Sequence, residues 1–111
     1  MPATWKQADV FPIIARIIAD AYQRAGRFIT HDEIATGLLR DPQAAGIIGE
    51  AQQEQEEKQS TEWFAHNMVA WFSQRITEGQ SDWDKAFERT RIDGKWAYKP
   101  KQEKAIEQGT E

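Results

Sequence analysis

The stretch STEWFAHNMVAWFSQRITEG, residues 60–79, followed after a short link by FERTRIDGKWAYKP, residues 87–100, decides the fold. At about 100° per residue, Phe64, Ala65, Met68, Val69, Trp71, Phe72 and Ile76 fall in one arc, the expected core face of a helix. Trp63, His66, Asn67, Ala70, Ser73, Gln74 and Thr77 fall on the opposite arc. Ser60 or Thr61 can cap the start by accepting from a free backbone N–H. Glu62 suits the positive end of the helix dipole and Arg75 the negative end. Gly79 can adopt the left-handed conformation that closes a helix.

Two short β-prone runs, Phe87 to Ile92 and Lys95 to Lys99, flank Asp93-Gly94. Asp-Gly favours the two-residue type I′ turn, whose central residues both need positive φ. That turn sets Ile92 opposite Lys95, Arg91 opposite Trp96, Thr90 opposite Ala97, Arg89 opposite Tyr98 and Glu88 opposite Lys99. One side of the hairpin then carries Phe87, Arg89, Arg91, Trp96 and Tyr98, aromatics mixed with arginines. The other carries Glu88, Thr90, Ile92, Lys95, Ala97 and Lys99.

Working back to the N-terminus, Met1 to Gln7 reads as a lead-in from which Trp5 can dock on the core. Asp9 is expected to cap a first helix, with Pro12 in its first turn. Val10, Ile13, Ile14, Ile17, Ile18, Ala21, Tyr22 and Ala25 recur at helical spacing up to Gly26. Arg27-Phe28-Ile29 is short and β-prone, and could add a strand to the hairpin. Thr30 to Glu33 is a capping box, and Ile34, Ala35, Leu38 and Leu39 form the apolar side of the helix it opens. Asp41-Pro42 breaks or restarts the helix. Ala44, Ala45, Ile47, Ile48 and Ala51 make a small apolar patch, and Gln52 to Gln59 is almost wholly Gln, Glu and Lys. Ser81 or Asp82 can cap a turn around Trp83, and 101–111 reads as a polar tail.

The segments Gly26 to Ala35, Phe64 to Ile76 and Phe87 to Tyr98 resemble, in type and order, the winged helix-turn-helix superfamily. The resemblance covers most of residues 10–99. It implies a mainly α fold with a small β-hairpin, a single domain over 1–111 with its core at 9–100. Three core helices are expected, the third being the recognition helix and the hairpin the wing. The insertion 40–59, a helix or loop between helices two and three, departs from the short turn usual there. Such folds commonly bind DNA, and many serve as protein-interaction modules.

The chain has 111 residues, with five Trp, five Phe and two Tyr to fill one small core. It has no cysteine, so thiolate metal chemistry and disulfides are excluded. No apolar run is long enough to span a bilayer and no signal-peptide pattern opens the chain, so a cytoplasmic protein away from membranes is expected. Net charge is −4, unlike a protein that coats nucleic acid by charge alone. Residues 63–101 nevertheless carry +2 (seven basic, five acidic), against −4 over residues 1–62.

The two histidines suggest no metal site on their own. His31-Asp32-Glu33 are neighbours at a helix start and do not converge on one point, and His66-Asn67 reads as an exposed helical pair. No phosphate loop, dinucleotide fingerprint or nucleophile elbow occurs. No enzyme, catalytic residue, cofactor or metal is expected. The sequence therefore points to a small protein that binds double-stranded DNA, such as a transcription regulator. Asn67, Ser73 and Gln74, with His66 at the edge, would face the major groove, and Arg89, Arg91 and Lys95 would hold phosphates from the wing. The rival expectation is a protein-interaction module or homodimer using Ile47, Ile48 and Trp63, which suits the acidic pI of about 5.2.

Overall fold

A computed structural model of the chain describes residues 5–54, 59–79 and 86–101. The described residues form four helices and one small antiparallel sheet. In chain order these are α1 (Gln7–Ala25), β1 (Ile29–Thr30), α2 (His31–Arg40), α3 (Pro42–Gln53), α4 (Thr61–Glu78), β2 (Phe87–Ile92) and β3 (Lys95–Pro100). The turn expected around Trp83 and the tail beyond Lys101 lie outside the described residues, as does part of the polar run after α3.

Helix α1 starts two residues before the expected cap. Lys6 holds the N-cap position without a side-chain bond, and Asp9 lies inside the first turn, where its charge still suits the dipole. Because of that early start, Pro12 falls in the second turn instead of the first, and its ring nitrogen cannot donate into the helix. Gly26 ends the helix at φ 65°, its N–H bonded to the Tyr22 carbonyl.

The capping box is present in both directions. Thr30 Oγ1 accepts from the Glu33 N–H at 3.3 Å, and Glu33 Oε1 accepts from the Thr30 N–H at 2.9 Å. Between α2 and α3 the chain turns on one residue. Asp41 ends the first helix and caps the second, accepting from the Ala44 N–H, with Pro42 in the first turn where its missing donor is harmless. From Pro42 to Gln53 the insertion is therefore a docked helix whose Ala44, Ile48 and Ala51 are buried.

Helix α4 is capped by Ser60, which accepts from the Trp63 N–H, and closed by Gly79 at φ 69°. Phe64, Ala65, Met68, Val69, Phe72 and Ile76 are buried. Trp71, expected among them, is 43% exposed. At about 100° per residue the buried arc centres between Met68 and Phe72, and Trp71 lies at its rim, close to a quarter-turn away.

The hairpin has the expected register at every pair from Glu88–Lys99 to Ile92–Lys95. Asp93 and Gly94 take φ 52° and 80°. The strand order is β1-β3-β2, with Ile29 opposite Tyr98 and Thr30 opposite Ala97. The short strand is thus real, starting two residues later than the sequence suggests and ending one later. Being central, β3 buries small Ala97 on one side and Tyr98 on the other.

One core joins these elements. Phe72 sits at its centre, edge-on to Phe11 (5.3 Å), Phe87 (5.7 Å) and Tyr98 (5.7 Å). Trp5 packs on Phe11 and is buried, as its docking role requires. No helix among the described residues is long and apolar enough to cross a membrane.

Candidate functional site

The residues expected to contact DNA do not form one free surface. Asn67 is half-buried, and its Oδ1 accepts from Trp5 Nε1 at 3.3 Å. It anchors the N-terminal segment to α4. Ser73 is half-buried as well and lies beside the Tyr98 hydroxyl. Gln74 is exposed. From Trp63 to Gln74, α4 carries no Lys, Arg, Asp or Glu, so its outward face is uncharged there.

The hairpin holds the cations, in two different states. Arg89 lies with its guanidinium carbon 4.0 Å from the Trp96 ring centre and donates to Thr77 Oγ1 at 2.8 Å, tying β2 to the end of α4. Arg91 approaches the same ring at 4.9 Å and is exposed. Neither arginine has a carboxylate partner among the described residues. Such stacking fixes a cation without neutralising it. Lys95, by contrast, is paired with Asp32 at the start of α2. Lys99 lies over the Tyr22 and Phe28 rings and 3.8 Å from Glu88.

His66 has a partner that sequence spacing does not reveal. Its Nδ1 lies 3.1 Å from His31 Nε2, and the ring centres are 5.1 Å apart with planes 17° from parallel. The nitrogens are so much closer than the ring centres that the rings meet nitrogen edge to nitrogen edge. Asp32 Oδ1 is 4.0 Å from His66 Nδ1. The expectation that residues 31–33 converge on nothing is overturned for His31 and Asp32. Close packing of α2 on α4 brings His66 to them from 35 residues away. Glu33 turns instead to Arg27 and the capping box.

The charges of this corner are interlocked. Burial, and then the neighbouring His66, push the His31 pKa below its ordinary value, with Asp32 opposing. The hydrogen bond from Lys95 holds the Asp32 carboxyl below the usual range. Beside them an open groove of about 280 Å³ is lined by His31, Asp32, Gly94, Lys95 and Trp96. Two imidazoles, a carboxylate and an ammonium there can bind an ion or exchange a proton.

Elsewhere, Ile48 is 1% exposed, sealed under its own chain, so it cannot be the subunit contact proposed for it. Ile47 is half-buried against the core, and Trp63 is 42% exposed. The Tyr98 hydroxyl is buried, which pushes its pKa up. Ser73 and Arg89 lie close enough to oppose that rise, yet the oxygen has no partner in hydrogen-bonding geometry among the described residues.

No protein-family model, curated protein or solved structure shows a significant match to this chain.

Proposed function

We propose that this is a small winged-helix protein that binds duplex DNA, gripping the backbone with its hairpin beside the C-terminal half of α4. The observation that carries this reading is the Arg89–Trp96–Arg91 stack: two fixed cations, unpaired with carboxylates among the described residues. Arg89 is tethered to Thr77, one turn beyond exposed Gln74, so cations and polar donors share one end of the helix. The order helix, strand, helices, hairpin and the three-stranded sheet support the winged-helix resemblance. Of the contacts the sequence suggests, Arg89, Arg91 and Gln74 are kept, and Thr77 is added beside them. Lys95 joins by exchanging Asp32 for a phosphate, since an exposed ion pair is worth only about 0–1 kcal/mol.

The test is duplex binding measured by fluorescence anisotropy across a salt series. Each phosphate-held cation contributes about 0.9 to the slope of log K against log salt. Arg89→Ala with Arg91→Ala should flatten that slope by nearly two. Affinity indifferent to salt, or an unchanged slope in the double variant, would remove the reading.

A second reading rests on Trp63 and Trp71, 42% and 43% exposed on the uncharged face of α4. Aromatic anchors on a face without charge suit a protein partner. Trp63→Ala with Trp71→Ala should leave DNA affinity intact if the first reading holds. If the second holds, the same pair of changes abolishes an association seen by sedimentation.

A further inference from the structure

We infer that His31, Asp32 and His66 form a binding site for a zinc-like divalent transition metal, in which the metal displaces Lys95 from Asp32. The chain has only two histidines, and the fold brings both ring edges to within 3.1 Å across two helices. Zinc–nitrogen bonds of about 2.0–2.1 Å at tetrahedral angles hold ligand nitrogens roughly 3.3–3.4 Å apart. The observed separation needs only a small opening and a tilt of the rings toward one side. His31 Nε2, His66 Nδ1 and an Asp32 oxygen all lie within 4.8 Å of one another. The carboxylate has farthest to swing, and half of its side chain is exposed, so its path is open.

The donor set selects the class of ion. Two imidazoles and one carboxylate suit zinc, cobalt or nickel, whereas magnesium and calcium call for oxygen throughout. Water from the adjoining groove completes the coordination. Two charges oppose the metal: the positive end of α2, and the Lys95 ammonium on Asp32. Asp32 offsets the first. The second makes binding an exchange, one cation for another on the same carboxylate. Loading the site therefore frees a lysine at the hairpin tip and ties α2 to α4. The inference does not depend on DNA binding.

The experiment is calorimetric titration of the untagged chain with Zn²⁺ at neutral pH, paired with a Co²⁺ titration read by visible absorption. One equivalent should bind, and Co²⁺ should give the band of a nitrogen- and oxygen-ligated ion. His31→Ala and His66→Gln should each weaken binding by more than the roughly 10–100-fold that a merely supporting residue costs. Lys95→Ala should tighten it by up to about fivefold, the worth of an exposed ion pair. His66 is exposed, so its variant keeps the fold, checked by circular dichroism. No heat and no band at millimolar metal, or an affinity unchanged in His66→Gln, would overturn the site. So would a Lys95→Ala variant that binds more weakly.

Discussion

Glu33 holds its charge far into acid because three groups donate to it. The hydrogen bond from Arg27 is the largest cause, followed by that from the Thr30 backbone, and the carboxyl pKa falls to about 2. In the unfolded chain a glutamate titrates near 4.3. A depressed pKa stabilises the fold fully above the unfolded value, and that stabilisation drains away as pH falls toward 2. Half-exposed as the pair is, solvent screens much of the effect. Arg27→Ala should therefore flatten the loss of stability between about pH 4.5 and 2, read from urea midpoints at several pH values. A pH profile identical to the parent chain would show that Arg27 contributes nothing there. Thr30 and Glu33 are legible in the sequence because a capping box is local, three residues apart. His31 and His66 are not, since no local rule relates positions 35 apart.

Among the elements, those closed by their own residues were the most legible. Helix α4 is bounded by Ser60 and Gly79 and the hairpin by Asp93-Gly94, and both stand where the sequence places them. What failed is what a neighbour decides. Trp71 lies on the rim of the α4 arc, and packing, not periodicity, chose Phe64 over it. Asn67 points outward by periodicity, but Trp5 arrives from the N-terminal segment to occupy it. The insertion shows the same limit. Its apolar residues could cover this chain or another, and only the docked helix shows that Ile48 faces inward. Ile48→Ala should cost about 2–5 kcal/mol in urea unfolding, as a core truncation does. A change below about 0.5 kcal/mol, within the range of surface substitutions, would mean that α3 is not part of the cooperative core.

At the scale of the molecule, part of the charge is spent within the chain. Asp32 takes Lys95, Asp41 takes Arg16, Glu33 takes Arg27, and Glu78 takes Arg75. A modest positive excess over residues 63–101 could be counted from the sequence, but not which cations remained available. That depended on α2 meeting the hairpin tip. Among the described cations of the hairpin strands, Arg89 and Arg91 on Trp96 are the ones left without a carboxylate, and they make the hairpin side of the molecule the place to test for polyanion binding.

Tyr98 sits at the heart of the protein, edge-on to Phe72, with its hydroxyl sealed from water. Among the described residues Ser73 and Arg89 lie near that oxygen without reaching hydrogen-bonding geometry, and a buried hydroxyl left so weighs against folding by about 1–3 kcal/mol. Deleting that single atom, Tyr98→Phe, should shift the urea midpoint upward at constant m-value. A lower midpoint would mean that the phenol finds a mate in solution. The native sequence thus forgoes stability at its own centre, and a one-atom edit should recover it.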